Sequence, residues 1–350
     1  MKFSFLKKLF KRKFICPGAF SEVYIYHDGR VFLCPDCFMT KNAEIGNLNN
    51  NTFEEIWNSQ KAITIRKEIL KGKYNYCSPS LCFAKSNYNI RLVPFKNIEY
   101  KAFQKEFPKM VCIGADCECN ASCIMCRKDI VHYTDEELIE YKKKVDSLYI
   151  PILKNAETLT LSTTGDPFAS RNTRYLMKTA AKTYPNLKFN LITNGILCDE
   201  FNCNDTGITD RLSNVMVSIH ASNEETYNKV VKNGNFKKVE ENIRWLKTLK
   251  DAKKIKGLFL AFVVNSQNYK DIPDFVEFAK SHDIVALFWS CIDWGGNLKS
   301  EDGVPVGISP NHPYFNDLVS VLNTIELETE YSHFFTPLKA ARNYKKEEGA

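Results

Sequence analysis

Three cysteines stand within eight residues, at Cys119, Cys123 and Cys126, in the spacing C-x3-C-x2-C. They follow an apolar run, Met110–Ala115, that predicts a buried strand. Thiolates are soft ligands that suit iron–sulfur clusters and zinc. Zinc sites usually combine two C-x2-C pairs, and this triplet has no such partner nearby, so a zinc knuckle or buried structural thiols are the weaker interpretations. Three thiolates would leave one iron of a cluster open to another ligand.

A second group of cysteines lies in residues 16–85, where the pattern predicts a strand, a tight turn, a second strand and then a helix. Asp-Gly between two β-rich runs is a strong hairpin signal. Thr52 and Glu55 form a capping box at the start of the helix. The thiols of this region are Cys16, Cys34, Cys37, Cys77 and Cys82. They predict a second metal site, which could hold an iron–sulfur cluster or zinc.

The composition is that of an ordinary globular protein, with 350 residues of which 44% are hydrophobic and 25% charged. Its 13 cysteines are odd in number and tightly clustered, which favours a reducing compartment such as the cytoplasm over a disulfide framework. No apolar run approaches the roughly 20 residues that a membrane span needs. Six of the seven excess positive charges fall in residues 1–15, so the rest is nearly neutral and no nucleic-acid partner is expected.

Residues 1–15 carry a basic amphipathic pattern, in which Phe3, Leu6, Phe10 and Phe14 recur at helical spacing with lysines between them. The pattern predicts a short helix in peripheral contact with the anionic inner face of a membrane. A floppy basic tail and a strap packed on the body are the alternatives. The lysines interrupt the apolar stretch and no cleavage site follows, so a secretory signal is not expected.

From residue 109 onward, strands and helices alternate. The predicted strands are Met110–Ala115, Thr158–Ser162, Lys188–Ile192, Val215–Ile219, Leu258–Val264 and Val285–Ser290. The predicted helices are one capped by Thr134 and Glu137, one capped by Ser222 and Glu225, and those over Phe236–Leu249, Ile272–Ser281 and Tyr314–Leu327. This alternation predicts an α/β protein with a parallel sheet, whose site lies at the carboxyl ends of the strands.

Four of the predicted strands end in short polar segments. These are Thr164-Gly165-Asp166-Pro167 after the second strand, Thr193-Asn194-Gly195 after the third, Ser218-Ile219-His220 after the fourth and Asn265 after the fifth. Each is an ordinary turn sequence by itself. Because the carboxyl ends of parallel strands meet at one edge of a sheet, we expect all four beside the cysteine triplet.

The triplet and these segments together resemble the radical S-adenosylmethionine (SAM) enzymes over about residues 109–265. The resemblance implies a partial (β/α)6 barrel. It also implies that Cys119, Cys123 and Cys126 hold a [4Fe–4S] cluster whose open iron binds SAM. One-electron reduction of the bound SAM would then give a 5′-deoxyadenosyl radical.

The same resemblance assigns contacts to the nucleoside cofactor. The implied contacts are Met125, Thr164, Gly165, Asp166, Pro167, Asn194, Ser218 and Lys232. Met125 would pack against the adenine, and Lys232 would replace an arginine that often holds the carboxylate group. The chain departs from the family pattern at Thr164, where glycine is usual, at Asp166, where glutamate is usual, and at His220, where aspartate is usual.

The N-terminal cysteine region resembles the SPASM or twitch module, a hairpin and helix that hold an auxiliary [4Fe–4S] cluster. The matching features are Cys16-x12-Gly29-x4-Cys34, the segment Ile45-Gly46-Asn47-Leu48 and the helix with Glu54-Glu55-Ile56-Trp57. The implied ligands are Cys16, Cys34, Cys77 and Cys82, with Cys37 as a substitute. The final C-x4-C spacing and the position before the catalytic domain depart from the usual module.

The two resemblances imply four segments: a tail (1–15), an auxiliary module with linker (16–105), a radical SAM core (106–300) and a helical extension (301–350). They imply a cytoplasmic enzyme of oxidoreductase or epimerase type, served by a one-electron donor such as flavodoxin or ferredoxin. Its substrate would be carbohydrate-like or otherwise small, and a ribosomal peptide or protein side chain is the alternative. The rival of another class is a non-catalytic zinc or iron–sulfur binding module.

Cys291 follows the last predicted strand, where it would face the cavity. A thiol at that place could return a hydrogen atom to a substrate radical, as in epimerisation. A buried structural thiol is the alternative interpretation of this residue.

Overall fold

The computed structural model describes residues 14–78, 82, 93–94, 100–126, 129–161, 164–291 and 310–343. The strands are β1 (Phe14–Ile15), β2 (Glu22–Ile25), β3 (Arg30–Phe32), β4 (Gly46–Asn47), β5 (Val93–Pro94), β6 (Met110–Ile113), β7 (Ser122–Cys123), β8 (Thr158–Leu161), β9 (Lys188–Thr193), β10 (Leu212–Ser218), β11 (Val231–Lys232), β12 (Gly257–Val264), β13 (Val285–Ser290) and β14 (Ser332–Phe334). Ten of them form one sheet in the order β14-β13-β12-β10-β9-β8-β6-β2-β3-β4.

The centre of this sheet is parallel, as predicted, because β6, β8, β9, β10, β12 and β13 all run in one direction. The described helices are Gly18–Ser21, Phe53–Trp57, Gln60–Leu70, Asp135–Lys144, Arg171–Thr183, Glu200–Asp205, Glu224–Val230, Phe236–Asp251, Ile272–Ser281, Phe315–Asn323 and Thr336–Arg342, besides shorter turns. The strand–helix alternation of an α/β protein is confirmed, and β14 adds a further parallel strand beside β13.

The two faces of the sheet have different surroundings. Phe288 of β13 packs edge-on against Phe275 of helix Ile272–Ser281, with ring centroids 5.7 Å apart. The alternate residues of β13, Leu287 and Trp289, are only half-buried and lie on the opposite face. Met216 of β10 is half-buried in the same way. The helices therefore cover one face, and the other face is the interior of the partial barrel.

The N-terminal hairpin is part of the same sheet. β2 pairs antiparallel with β3 and parallel with β6, so the hairpin continues the sheet of the catalytic region. Gly29 adopts φ +84° in the turn, the left-handed conformation that the predicted Asp-Gly turn requires. The auxiliary cysteine region is thus joined to the core by backbone hydrogen bonds.

An aromatic stack connects elements that lie far apart in the sheet order. Phe38, which follows the hairpin, stacks on Trp289 of β13 with ring centroids 6.2 Å apart. Trp289 also stacks on Phe335, just after β14. Because β3 and β13 lie near opposite ends of the sheet, this contact shows that the sheet curls and that the hairpin region reaches across the opening at the carboxyl ends of the strands.

Helix boundaries follow the predicted capping boxes in two places and differ in a third. The boxes at Thr52 and Thr134 are both present. Ser222 was predicted to cap a helix, which is wrong. Asn223 caps it by accepting from the N–H of Thr226 at 2.9 Å, because the Ser222 hydroxyl is engaged by the carboxylate of Asp271.

Two further predictions are corrected at the ends of the chain. Phe14–Ile15 pairs antiparallel with Val93–Pro94 and is a strand, not the end of an amphipathic helix. Residues 1–13, the rest of that predicted helix, lie outside the described residues. The helix predicted over Tyr314–Leu327 covers Phe315–Asn323 only, and the hydroxyl of Thr324 beyond it donates back to the carbonyl of Val321 at 2.7 Å.

Arg66 holds the helical part of the N-terminal region together. It lies within helix Gln60–Leu70 with no exposed surface, and it donates to the carbonyls of Ala19 at 2.7 Å and Trp57 at 2.8 Å. Its guanidinium also lies over the Trp57 ring, 4.1 Å from the centroid. Burial lowers the pKa of Arg66 to about 9, which leaves the side chain charged at neutral pH.

We expect Arg66→Met to lower the free energy of unfolding by about 2–4 kcal/mol, because two buried carbonyls would lose their donor. Urea denaturation under anaerobic conditions measures the change. Arg244→Met is the matched control, since Arg244 is 56% exposed and only pairs with Glu240 one turn away, so its loss should cost about 0.5 kcal/mol or less. Equal losses in the two variants would contradict the structural role of Arg66.

Candidate active site

The cysteine triplet lies in a loop that is held in position by a short ladder of two paired strands. β7 pairs antiparallel with β11, which sets Cys123 opposite Val231. The N–H of Ile124 donates to the carbonyl of Val230 at 3.0 Å, and the N–H of Cys126 closes a turn onto the carbonyl of Cys123 at 2.9 Å. The positions of the second and third cysteines are therefore fixed by backbone hydrogen bonds.

The segment after β8 packs directly against this loop. A Cβ atom on Gly165 would lie 2.4 Å from the carbonyl oxygen of Glu118, so no side chain fits there. The N–H of Asp166 donates to that same oxygen at 2.9 Å. The hydroxyl of Thr164 donates to the carbonyl of Asp116 at 2.6 Å. The backbones of Glu118 and Gly165 are thus in van der Waals contact.

Two buried acids support the loop and were missed in the sequence. Asp116 is 4% exposed and accepts from the Ser170 hydroxyl at 2.7 Å and the Asn172 amide at 2.8 Å. Glu118 accepts from the N–H of Arg171 at 3.0 Å. Burial raises the pKa of Asp116 above its ordinary value. Two acids within three residues of a cysteine triplet are the signal that could have found them.

Asp166 joins two strand ends. Its Oδ2 accepts from the Thr193 hydroxyl at 2.7 Å and the N–H of Asn194 at 2.9 Å, and its Oδ1 accepts from the N–H groups of Phe168 and Ala169 at 3.0 and 3.2 Å. The residue is 1% exposed, and burial raises its pKa although the four hydrogen bonds favour the ionised form. Its direct contact with a cofactor stays a prediction.

Asn194 connects the third strand end to the first cysteine. Its Nδ2 donates to Asn120 Oδ1 at 2.7 Å and to Cys119 Sγ at 3.6 Å. Gly195 follows with φ +81°, and a Cβ there would lie 2.7 Å from a methyl of Val217. The Thr-Asn-Gly segment therefore brings an amide to the cluster loop through a turn that only glycine can make.

The fourth strand end contributes Ser218 and His220. Ser218 is the half-buried last residue of β10. His220 is 6% exposed at φ +61°, and its Nδ1 accepts from the N–H of Val263 at 3.1 Å. Burial lowers the pKa of His220 to about 4. The imidazole is neutral at pH 7, and its remaining proton is on Nε2.

Met125 and Lys232 differ in their surroundings. Met125 is 6% exposed within the triplet loop. Lys232 is exposed, lies opposite Ser122 in the short ladder and donates to the carbonyl of Asn228 at 3.2 Å. Pro167, the last residue of its segment, is buried.

A small cavity opens beside the first cysteine. Its volume is about 170 Å³, and its lining consists of Glu118, Cys119, Asn120, His132, Phe168, Ala169 and Leu197. The loop with the first cysteine and the segment after β8 both contribute to its wall. The site therefore combines thiols, amides and a buried carboxylate around accessible space.

The thiols of the N-terminal region gather at a second place. The pKa of Cys77 is raised, first by a hydrogen bond with Cys82, then by burial and by the charges of Cys82, Cys34 and Cys16. Burial raises the pKa of Tyr74 to about 12, and Cys16, Cys77 and Cys82 contribute to this rise. The other three predicted auxiliary ligands, Cys16, Cys34 and Cys82, therefore all act electrostatically on Cys77.

Cys37 has a different environment. Burial and then the charge of Asp36 raise its pKa to about 12, and none of the four gathered thiols contributes to this shift. Cys291, the first residue after β13, is half-buried, and its approach to the barrel interior stays a prediction.

Comparison with known families finds a match for each of the two regions that carry these thiols. Residues 117–279 match the radical SAM superfamily, and residues 16–83 match SPASM, an iron–sulfur cluster-binding domain. The chain carries a SPASM domain followed by a radical SAM domain. The predicted recognition and the predicted order of the two domains are confirmed.

Several solved structures are similar to parts of this chain. SuiB of Streptococcus suis bound to S-adenosylmethionine is 13% identical, with 55% of this chain and 43% of SuiB covered at a TM-score of 0.39. The structure anSMEcpe with bound AdoMet and Cp18Cys peptide is 19% identical, with 61% and 58% covered at 0.42. TYW1 with a lysine-pyruvate adduct bound is 17% identical, with 63% and 79% covered at 0.34.

The chain thus spans less than half the length of SuiB. None of the curated proteins matches it in sequence. In the part of the chain that the structure describes, no helix has the length and hydrophobicity to cross a bilayer.

The SPASM and radical SAM domains imply [4Fe–4S] clusters and SAM, as predicted. Among the described residues, no three His, Cys, Asp or Glu side chains converge on a point where one metal ion could bind. A [4Fe–4S] cluster needs a wider arrangement, because each cysteine binds a different iron. The triplet loop and the four gathered thiols fit that requirement in donor type and number.

The surroundings of Cys77 and Cys37 make the auxiliary ligand set testable. We expect Cys77→Ala to lower the iron content of the reconstituted chain from about eight to about four atoms, because a [4Fe–4S] cluster uses four cysteines. Cys37→Ala is the matched control and should keep about eight. Iron and sulfide assays with absorption spectra give the result. Loss of iron in Cys37→Ala but not in Cys77→Ala would make Cys37 the ligand.

His220 predicts a pH dependence of stability. Its folded pKa of about 4 lies below the ordinary value of 6.5, so below pH 6.5 the unfolded chain binds a proton that the folded chain excludes. This contribution should lower the free energy of unfolding by about 2 kcal/mol between pH 7 and pH 5. His220→Asn should lose that dependence, since asparagine tolerates positive φ and its carbonyl can accept from Val263.

Urea denaturation across this pH range, compared between wild type and variants, isolates the effect of one histidine. His27→Asn is the control, because His27 is exposed in the hairpin turn. The control should follow the wild-type pH profile. If His220→Asn follows it too, the buried imidazole is not the cause.

Proposed function

We propose that this chain is a radical SAM enzyme that cleaves SAM reductively and removes a hydrogen atom from a small, carbohydrate-like substrate. Cys119, Cys123 and Cys126 would hold the reactive cluster. SAM bound there supplies a 5′-deoxyadenosyl radical on one-electron reduction. The electron would come from a small donor protein of the flavodoxin or ferredoxin type.

The observation that carries this proposal is the contact between Asn194 and Cys119. The amide of the third strand end reaches Cys119 Sγ at 3.6 Å, while its backbone N–H is held by Asp166. A chain that used its thiols only for a structural metal would have no need of polar strand ends beside them. Here the triplet, the segment after β8 and the turn after β9 meet at one place.

The residues around the triplet would bind and orient SAM. Asn194 and Ser218 offer polar groups to the nucleoside, and Met125 offers an apolar surface for the adenine. Lys232 lies opposite Ser122 in the ladder, and its exposed ammonium group would approach the carboxylate group of SAM. The wall of the site that faces the amino group of SAM would be formed by the segment Thr164, Gly165, Asp166 and Pro167. In this arrangement Asp166 acts mainly by positioning its neighbours.

The narrow opening of the barrel supports the proposal that the substrate is small. The Phe38–Trp289 stack connects the SPASM domain with the last parallel strand across that opening. Access to the interior is therefore narrowed by aromatic rings at the carboxyl end of β13. Substrate bound there would be shielded from water, which protects a carbon radical from side reactions.

Cys291 would be the residue that finishes the reaction as an epimerisation. Its thiol would give its hydrogen atom to the substrate carbon radical, so the S–H bond breaks and a C–H bond forms. The sulfur radical left behind then takes one electron from the donor protein and one proton. Without this step, the substrate radical would lose a proton and pass one electron to the auxiliary [4Fe–4S] cluster, which gives dehydrogenation. The position of Cys291 directly after β13, two residues beyond the half-buried Trp289, supports the first course.

The test is formation of 5′-deoxyadenosine by the chain after anaerobic reconstitution with iron and sulfide, in the presence of SAM and dithionite. We expect wild type to form it and Cys123→Ala to form none. Cys112→Ala should retain the activity, because Cys112 is a core residue of β6 with 1% exposure. Cys291→Ala should also retain it, because hydrogen return comes after SAM cleavage.

Mass spectrometry of the nucleoside products gives the measurement, with iron content determined on the same samples. A wild-type chain that is iron-loaded and forms no 5′-deoxyadenosine would overturn the enzyme proposal. The chain would then be a structural iron–sulfur protein.

A further inference from the structure

Tyr227 is a buried tyrosine in the helix that leads into the partner strand of the triplet loop. It belongs to helix Glu224–Val230 and has no exposed surface. The two residues that follow this helix form β11, which is the partner strand of the triplet loop. The helix that carries Tyr227 is therefore held next to Cys123 by the ladder already described.

The backbone is shaped to admit the end of the phenol ring. A Cβ atom on Gly234 would lie 2.5 Å from Tyr227 Cε1 and 2.7 Å from its hydroxyl oxygen. Asn233, just before, adopts φ +59°, so the chain turns sharply around the ring. Phe236 packs on the ring with centroids 5.5 Å apart. The ring has little freedom to move.

The hydroxyl of Tyr227 has no hydrogen-bond partner among the described residues. The backbone N–H of Asn235 is directed at the oxygen, but an N–H is a donor and cannot accept the hydroxyl proton. A buried hydroxyl without an acceptor is costly and rare in native proteins, so such a group calls for an explanation. The missing acceptor must lie close to the phenol oxygen.

The groups nearest in electrostatic terms are two of the triplet thiols. Burial raises the pKa of Tyr227, and the charges of Cys123 and then Cys119 raise it further. Thiolate and sulfide sulfurs are hydrogen-bond acceptors, and hydrogen bonds to the sulfurs are one of the levers that set the potential of an iron–sulfur cluster. The phenol O–H of Tyr227 is a donor that such a sulfur can accept.

We propose that Tyr227 donates its hydroxyl proton to a sulfur of the cluster held by Cys119, Cys123 and Cys126, and so raises the reduction potential of that cluster. This inference rests on the proposed function, because it requires the cluster to be bound at the triplet. Tyr227 would then adjust the reduction potential of the cluster without touching the substrate, and Gly234 leaves the space that its ring occupies. Its hydrogen bond stabilises the reduced state, in which the sulfurs carry more negative charge.

The test is an EPR-monitored redox titration of the reconstituted chain, with and without SAM to separate the radical SAM cluster from the auxiliary one. We expect Tyr227→Phe to bind the same amount of iron and to shift the SAM-sensitive cluster to a more negative potential. A tenfold change in the ratio of reduced to oxidised cluster, about 59 mV for a one-electron couple, is the expected size. The auxiliary cluster should not shift.

Tyr141→Phe is the matched control. The Tyr141 hydroxyl is also buried without a partner among the described residues, but its pKa is raised by burial and by Tyr149, Asp116 and Tyr133 rather than by thiols. This variant should leave both potentials unchanged. Pulsed ENDOR in H2O and D2O supplies a second measurement. Wild type and Tyr141→Phe should show one exchangeable-proton coupling to the SAM-sensitive cluster that Tyr227→Phe lacks, while the coupling of the Asn194 amide to Cys119 should be present in all three.

The outcomes separate this inference from the proposed function. If wild type forms no SAM-sensitive cluster signal, the proposed function fails and the inference fails with it. If the signal is present but Tyr227→Phe keeps the wild-type potential and the exchangeable proton, the inference alone is overturned. A negative shift together with loss of that proton supports it.

Discussion

The contact between Gly165 and the carbonyl oxygen of Glu118 is the constraint on which the site depends. A side chain of any size at residue 165 would separate the segment after β8 from the loop that leads into the cysteine triplet. Because the two backbones touch, the N–H of Asp166 can reach the same oxygen, and its carboxylate can in turn hold the end of β9. One close approach thus orders three consecutive parts of the active centre.

The two carboxylates that support the site are stabilised by hydrogen bonds within the protein, not by solvent. Asp116 and Asp166 are both nearly inaccessible, yet each accepts hydrogen bonds from neighbouring loops or helix starts. Burial alone would favour the protonated acids, and the hydrogen bonds oppose that effect. The acids act as connectors between strand ends. The soft thiol ligands and the polar amides are left facing the space where a cofactor can bind.

Much of the fold could be predicted from the sequence because its signals are local. The strands of the parallel sheet are short apolar runs, and Thr52 and Thr134 announce their helices through capping boxes that need only four residues. The triplet and the polar strand ends were recognisable for the same reason. The topology of parallel sheets predicts that the triplet and the polar strand ends lie close together, but it predicts no distances between their atoms.

The remainder depends on contacts between distant parts of the chain. Nothing near Phe38 indicates that it meets Trp289, and nothing in the hairpin indicates that β2 would pair with β6. Ser222 looked like a helix cap because its competitor, the carboxylate of Asp271, lies 49 residues away. Asp116 and Tyr227 were overlooked because an acid and an aromatic residue acquire a function only from what surrounds them in three dimensions.

The pairing of β2 with β6 also bears on how this protein could have been assembled and how it can be divided. A module that merely adjoins its host can be exchanged or removed at a linker. Here, removal of the hairpin would turn β6 into an edge strand, with a row of unpaired backbone groups available to other chains. The hairpin of the SPASM domain therefore completes one side of the radical SAM sheet, and the two domains should be expressed and engineered as one unit.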